Sequence, residues 1–368
     1  MSQLTVGLIA NVLQKGENYD PQNEEYTSEQ EIKAIISSLE QSRTKVIFIN
    51  SINKKNPFSV FDELKNYRKE IDLVLNLSSG MPWSPSRKFV IPAVLEHLDI
   101  PFIGSSALGH AYAMDKAAQK KLLLSSKHVD WPGYQCFRTI EDKLKERIGF
   151  PAIVKPACEG TSVGIAQDCV VRNVVDLYKR VEKIIEAHGS PVIVEEFLDG
   201  LEYTAGIVGD MVFPPLVMDL SEMPGHPLVR DVGVKDIDPD YSAPLTEFDN
   251  VYQNLVQQTI EVHEVLGLMD CSRIDYRADS KGDIRLIEAN SLPGLHPTNS
   301  DLPQSAAYAG VPYSEFINMI VHTAIQRYEL PSEKTSHIRE IYDSTMCNVQ
   351  FFEDNFEGKG YKILKTQK

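Results

Sequence analysis

Cys271-Ser272-Arg273-Ile274-Asp275-Tyr276-Arg277-Ala278 is followed, after a short polar turn, by Ile284-Arg285-Leu286-Ile287-Glu288-Ala289-Asn290-Ser291-Leu292-Pro293-Gly294. Both halves are strand-like, and Asp279, Lys281 and Gly282 between them supply turn chemistry, so Ser272–Ala278 and Asp283–Glu288 are expected to pair antiparallel. That register sets Asp275 and Glu288 near the facing ends of the two strands, with Asn290 on Glu288's side of its strand. Three oxygen donors converging from one rigid ribbon suit Mg²⁺, a hard cation that keeps some of its waters and binds substrate phosphates. A hairpin with solvated acids is the plainer reading. It accounts for Asp279 and Asp283 at the turn but not for Arg273, Asp275, Glu288 and Asn290, each of which interrupts an apolar strand.

Upstream, Ile153-Val154-Lys155-Pro156-Ala157-Cys158-Glu159-Gly160-Thr161-Ser162-Val163-Gly164 reads as a strand ending in lysine and opening into a loop of glycines and hydroxyls. Backbone N–H groups of such a loop can surround phosphate oxygens while the lysine adds charge. The lysine precedes the glycines, so this is not a Walker A loop. A strand turn with a surface lysine is the alternative. Cys158 has no neighbouring histidine or base and is not expected to act as a nucleophile. Between the two motifs lies Val192-Ile193-Val194-Glu195-Glu196-Phe197-Leu198-Asp199-Gly200-Leu201-Glu202, a strand leading through a short linker into another strand. Free backbone groups in the linker can read a base edge, and Glu202 can hold ribose hydroxyls, although strand–Asp–Gly–strand is also a common hairpin.

The N-terminal 100 residues alternate strand and helix patterns. Leu4–Ala10 is apolar on both faces, and Ser28–Gln41 carries Ile32, Ile35, Ile36 and Leu39 at helical spacing behind a Ser28/Glu31 capping box. Strands at Lys45–Ile49, Asp72–Leu77 and Phe102–Gly104, with helices at Phe58–Tyr67 and Pro92–His97, complete a parallel doubly wound α/β pattern. The rest mixes elements in an α+β manner: helices at Met114–Leu124, Val174–Ala187, Val251–Leu266 and Pro312–Tyr328, and a ribbon at Glu202–Val208 and Met211–Val217. Beyond about Leu330 the patterning weakens and the chain ends basic, which reads as an appended tail.

The 368 residues carry 37 basic and 52 acidic side chains, a formal charge of −15, with 42% hydrophobic residues. Bulk disorder is excluded by that apolar content, and nucleic-acid or anionic-membrane binding is disfavoured by the charge. An anionic substrate would need a local cluster of cations. Five cysteines in no metal or disulfide spacing suggest reduced thiols and a cytoplasmic setting. The N-terminus lacks a signal-peptide pattern, and no run approaches a membrane span.

Taken together, VKPxxEGxSVG, the EE–FLDG–E linker and RIDYRAD…LIEANSLPG resemble the ATP-grasp ligases, specifically the D-alanine–D-alanine ligase group, over about Pro101–Arg327. The resemblance implies an N-terminal preATP-grasp domain (1–110), a small ATP-grasp lobe (111–200), a catalytic lobe (201–330) and an extension (331–368). It further implies that Lys116 and Lys155 contact nucleotide phosphates under the loop Glu159, Gly160, Thr161, Ser162, Val163 and Gly164. Glu195, Glu196, Phe197, Leu198 and Glu202 would hold adenine and ribose. Asp275, Glu288 and Asn290 would hold two Mg²⁺, with Mn²⁺ as a substitute. Arg273 and Gly294 would stabilise an oxyanion, and Lys235 would close over the γ-phosphate.

The group joins a carboxylate to an amino acid through an acyl phosphate, and it is often dimeric through the N-terminal domain, so a homodimer is one expectation. The His-Glu-x-x-Ser-like and His-Gly-x-x-Gly-Glu-Asp stretches of the D-alanine enzymes are replaced here by Lys15–Glu25 and by Ser78–Arg87. Asn299, beside Ser300, stands where a hydroxyl commonly binds the acceptor carboxylate, and Asp236 replaces an aromatic. All these departures lie on the substrate side. They favour an amide- or imine-forming C–N ligase with substrates other than D-alanine, such as one adding serine or threonine to a mycosporine-glycine-like acid. D-alanine–D-alanine ligation, a phosphotransferase releasing a phosphoester and a degenerate nucleotide-binding module are the competing classes. Arg87 is a candidate carboxylate clamp or a surface arginine, and Trp83 covers a ring or the domain junction. His296 is a candidate to face the acceptor.

Overall fold

The structure is a computed structural model and describes residues 3–12, 26–51, 59–80, 87–145, 148–160, 164–189, 191–225, 227–231, 234, 242–245, 250–355 and 364–365. Strand β1 (Thr5–Ala10) is buried along its whole length, as a strand apolar on both faces requires. It lies between β2 (Lys45–Asn50) and β3 (Leu73–Asn76), and β4 (Phe102–Ile103) completes a four-stranded parallel sheet in the order β2-β1-β3-β4. Val6, Leu8 and Ala10 enter the core under α1 (Glu29–Gln41), whereas Ile9 enters the one formed by α2 (Ser59–Tyr67) and α3 (Arg87–His97). The doubly wound α/β expectation is therefore met.

Only half of the expected capping box forms. Ser28 Oγ accepts from the Glu31 N–H at 3.1 Å, but the Glu31 carboxylate turns away and accepts from the Leu295 N–H at 2.9 Å. Two helices start or break elsewhere than the pattern suggests. Helix α3 begins at Arg87 rather than at Pro92, so the proline sits inside it. The helix expected over Met114–Leu124 starts two residues late: α4 (Ala107–Met114) ends where it was to begin, and α5 (Lys116–Leu122) takes its place. Asp115 separates them, its Oδ1 accepting from Ala117 and Ala118 N–H at 2.8 and 3.0 Å. This N-cap fixes Lys116 as the first residue of α5.

The second sheet is antiparallel, in the order β5 (Tyr134–Phe137), β8 (Val192–Glu196), β6 (Ala152–Pro156), β7 (Val170–Val171). Helix α6 (Val174–His188) covers it through Leu177, Val181 and Ile184. In the third sheet β9 (Glu202–Val208) is central, with β13 (Cys271–Ala278) and β14 (Ile284–Asn290) on one side. On its other side lie β10 (Met211–Val212) and β11 (Leu216–Met218), which β15 (Leu364–Lys365) and β12 (Ser242–Pro244) extend. The ribbon expected over Met211–Val217 is thus interrupted at Phe213–Pro215, where two prolines remove ladder donors. Helix α7 (Asn250–Val265) packs on β9 and β13, and α8 (Asp301–Tyr308) packs on β9.

The tail is more structured than its patterning suggests. After α9 (Tyr313–Arg327), Ser332–Asn355 forms a 24-residue helix, α10, that lies along α9 and inserts Ile338 into the same core as Leu4 and Val6. A second tie crosses the chain at Asp270, which has φ +60°. Its carboxylate accepts from the Gly104 N–H at 2.7 Å and from Arg327 Nη2 at 2.6 Å. No helix among the described residues is long and apolar enough to cross a membrane.

Candidate functional site

On the cleft face of β13 the side chains alternate Arg273, Asp275, Arg277, and the paired positions of β9 are Gly206, Thr204 and Glu202. Across the other ladder Arg273 faces Asn290 and Asp275 faces Glu288. The register then shifts by one residue beside Tyr276, so Ile287 is an added residue on β14, a bulge of the kind that re-aims side chains. Asp275 is saturated. Thr204 Oγ1 and Arg273 Nε donate to its Oδ1 at 2.7 and 2.9 Å, and Arg273 Nη2 and Asn290 Nδ2 donate to its Oδ2 at 2.9 and 2.8 Å.

Arg273 also reaches Asp301 at 3.4 Å, at the start of α8. Burial opposes its charge, but Asp275 and Asp301 outweigh that and hold its pKa above the usual arginine value. Gly206, opposite, lies so close to α8 that an added Cβ would stand 2.1 Å from Leu302 Cδ1.

The second half of the cleft is a lysine cluster. Lys155 at the end of β6 and Lys120 on α5 both meet the Glu195 carboxylate at 2.7 Å, and the three side chains are all at least 97% buried. Burial alone would raise the Glu195 pKa, yet the two lysines pull it down to about 2. Burial in turn lowers that of Lys120, against the pull of Glu195. Lys116, one turn before Lys120, meets Glu288 Oε2 at 2.9 Å and donates to the Glu159 carbonyl. Burial opposes the Lys116 charge, but Glu288 prevails and its pKa rises. The placement of α5 comes from Gln119, whose Oε1 accepts from the Ala289 N–H at 2.9 Å, between Glu288 and Asn290.

A cleft joins the halves. Its walls include Lys155, Glu196, Leu198, Glu202, Arg273, Asp275 and Glu288. Arg277 stacks on the Phe197 ring at 4.8 Å and donates to Glu202 at 3.0 Å, which fixes the linker against β13.

Beyond β14, Leu295 is held on both sides of its backbone, by Glu31 at its N–H and by Tyr313 Oη at its carbonyl, 2.7 Å away. Burial raises the pKa of Glu31. Gly294, just before, leaves no space for a side chain, since a Cβ would lie 2.6 Å from Ser300 Oγ. Ser300 Oγ accepts from the His296 N–H at 3.0 Å, and His296 Nδ1 accepts from the Asn299 N–H at 3.1 Å.

The structure thus brings together Lys116, Lys155, Glu195, Glu196, Phe197, Leu198, Glu202, Arg273, Asp275, Glu288 and Asn290, with Glu159 at the rim. Glu195 is not presented to the linker, because its carboxylate is spent on two lysines. His296 turns its ring nitrogen to its own loop. Arg87 is no surface residue: it is buried and pairs with Glu159 Oε2 at 2.7 Å. Thr161, Ser162, Val163, Lys235, Trp83, Asp236–Asp240 and Lys15–Glu25 lie outside the described residues. Sequence reasoning missed Lys120, although its i+4 spacing from Lys116 was a usable signal. It also missed Thr204, Asp301 and Glu31, for which only the three-dimensional pairing speaks.

The family described as D-ala D-ala ligase C-terminus matches residues 128–322. The D-alanine–D-alanine ligase of Marinomonas sp. is 30% identical over 238 residues, 64% of this chain and 72% of that protein. The uncharacterized protein y4sG of Sinorhizobium fredii is 29% identical over 260 residues, 70% of this chain and 75% of that one. Among solved structures, the D-alanine–D-alanine ligase of Bacillus anthracis complexed with ATP superposes with a TM-score of 0.66 at 20% identity, covering 89% of this chain and 99% of that one. That likeness bears on the fold, while the family match spans more than half of the sequence. The chain belongs to the D-alanine–D-alanine ligase family, and it is an ATP-grasp ligase.

Proposed function

We propose that this ligase uses ATP to activate a small carboxylate, or a related acyl substrate, as an acyl phosphate and joins it to the amine of an amino acid. The observation that carries the reading is the convergence of Lys155, Arg273, Asp275 and Glu288 on one cleft between two antiparallel sheets, with Lys116 paired to Glu288 and Asn290 bonded to Asp275. A carboxylate is a poor electrophile, and phosphorylation gives it a leaving group. Lys116 and Lys155 hold the phosphoryl oxygens, and the Gly160 end of the loop closes over them. The backbone of Glu196 and Leu198 reads adenine, and Glu202 holds the ribose. Arg273 and the Gly294 N–H stabilise the oxyanion that forms when the amine attacks. Closure excludes the water that would otherwise consume the acyl phosphate.

Asp275, Glu288 and the Asn290 amide oxygen fit Mg²⁺, since they are hard oxygen donors on two adjacent strands. They are not preassembled. Lys116 and Arg273 hold the two carboxylates, and no cluster of three His, Cys, Asp or Glu side chains gathers among the described residues. Mg²⁺, when bound with the nucleotide, supplies positive charge to the phosphates.

We favour substrates other than D-alanine because every departure from the D-alanine enzymes falls on the substrate side: Lys15–Glu25, Ser78–Arg87, Asn299 and Asp236. The names of the relatives support D-alanine–D-alanine ligation itself as the second reading. A panel of D-Ala, L-Ser, L-Thr and Gly, offered singly and in pairs with Mg·ATP, separates them by phosphate release. Turnover that needs an acid and an amine together is expected. D-Ala as the best pair would favour the second reading, and phosphate release indifferent to the amine would sink both.

A further inference from the structure

Gln167 opens the 3₁₀ turn Gln167–Cys169, just before β7 of the second sheet, and its side chain is exposed. Its amide nevertheless grips segment 228–231, part of the connection between β11 and β12 of the third sheet. Gln167 Nε2 donates to the Val229 carbonyl at 2.9 Å and to Asp231 Oδ2 at 2.8 Å, and its Oε1 accepts from the Leu228 N–H at 2.8 Å. Both ends of this tie are fixed. Arg180, 8% exposed, donates to the Gly164 carbonyl at 3.1 Å and pairs with Asp168 at 2.9 Å, which holds the turn that carries Gln167. On the other side Arg277 Nη1 donates to the Leu228 carbonyl at 2.9 Å, Arg230 Nη2 to Asp301 at 3.3 Å, and the Val234 N–H to Asp231 Oδ1 at 3.0 Å.

Val229 and Arg230 line the cleft, and so does Ile165, two residues before Gln167. The linker 197–201 is the covalent joint between the two sheets, and Gln167 adds a non-covalent one between two walls of the cleft. An exposed hydrogen bond is worth about twofold to threefold at the low end, so three together hold a closed state by about tenfold and still break at each turnover. We propose that Gln167 is a positioning residue, the latch that holds segment 228–231 against the second sheet while the acyl phosphate awaits the amine. This inference rests on the ligase reading and adds how that site is kept dry. With the latch released, water attacks the acyl carbon, the carbon–oxygen bond to phosphate breaks, and a proton passes to solvent. The acid is regenerated with inorganic phosphate, and the net change is ATP hydrolysis with no amide formed.

The test takes two readouts on the full chain, in the parent, Gln167→Ala, Gln167→Glu, and Gln167→Glu combined with Asp231→Asn. One is hydrogen exchange at the Leu228 amide with Mg²⁺ and a non-hydrolysable ATP analogue bound. The other is phosphate released per condensed product, with whichever pair from D-Ala, L-Ser, L-Thr and Gly turns over. Gln167→Ala is expected to speed the exchange about tenfold or more, and to raise the ratio from about one to about two or more. At neutral pH Gln167→Glu sets a carboxylate against the Val229 carbonyl and Asp231, and is expected to lose at least as much. Adding Asp231→Asn returns a donor to that contact while its oxygen keeps the Val234 bond, so both readouts are expected to move back toward the parent. A merely structural residue would lower turnover without changing the ratio. An unchanged ratio in Gln167→Ala, a Leu228 amide that exchanges as in the parent, or a double variant no better than Gln167→Glu would each overturn the proposal. If no pair turns over, the exchange results decide alone. Phosphate release by the parent that ignores the amine would sink the ligase reading, and the exchange results would still decide the latch.

Discussion

Arg273→Ala is expected to lower kcat by at least about a hundredfold, the usual loss when an oxyanion donor is removed. The side chain is held by two bonds to Asp275 and one contact to Asp301, so its guanidinium arrives in the cleft already oriented. Removing it also leaves two carboxylates facing each other in a poorly solvated space, and a loss of about 3 kcal/mol in unfolding free energy is expected alongside. Arg273→Lys separates the two effects. It keeps the charge, so most of the stability returns, but it lacks the planar fork, so kcat stays about tenfold or more below the parent. Urea unfolding and steady-state kinetics on the pair measure both. An alanine variant with kcat within about twofold of the parent would remove Arg273 from the chemistry.

The second large effect concerns stability and nucleotide binding together. Glu195→Ala strands Lys120 and Lys155 in a buried site, and breaking such a cluster costs about 3–5 kcal/mol. Weakened binding of an ATP analogue is expected as well, because Lys155 loses the partner that aims it. The same cluster predicts a pH dependence. The folded pKa of Glu195, about 2, lies below the carboxylate's ordinary value, so the unfolded chain takes up its proton first as the pH falls. The stabilisation is fully present above the unfolded value, about 4.3, and is lost between there and about pH 2. In the Glu195→Gln variant this acid-side contribution should vanish. Identical acid unfolding profiles for parent and Glu195→Gln would contradict the assignment.

The parallel sheet and the three chemical motifs were legible because each is local: β1 is apolar at every position, and Arg273, Asp275 and Glu288 interrupt otherwise apolar strands. What escaped was the partner of each charge. Glu195 looked available for adenine, and only the approach of α5 to β8 shows that two lysines claim it. Glu31 looked like the second half of a capping box, yet its carboxylate crosses to Leu295, a residue 264 positions away. The break at Asp115 was concealed because Met114 and Lys116 both continue a helical pattern, while the capping bonds that end it depend on one side chain. Helix α10 was missed because its buried stripe, Thr335, Ile338, Tyr342, Thr345 and Val349, has helical spacing but is only weakly apolar, two of the five being threonines.

In the proposed reading a chain of net charge −15 takes an anionic nucleotide through local neutralisation: Lys155 and Arg273 line one cleft, Lys116 pairs with Glu288 on its wall, and each of the three stands beside a carboxylate. The central claim is that the carboxylate is phosphorylated before the amine attacks. It is tested most directly with a turned-over acid labelled with ¹⁸O in its carboxylate, by mass spectrometry of the phosphate released in the presence of Mg·ATP and the amino acid. One ¹⁸O transferred to each inorganic phosphate is the predicted result. Phosphate that carries no label during amine-dependent turnover would contradict the account.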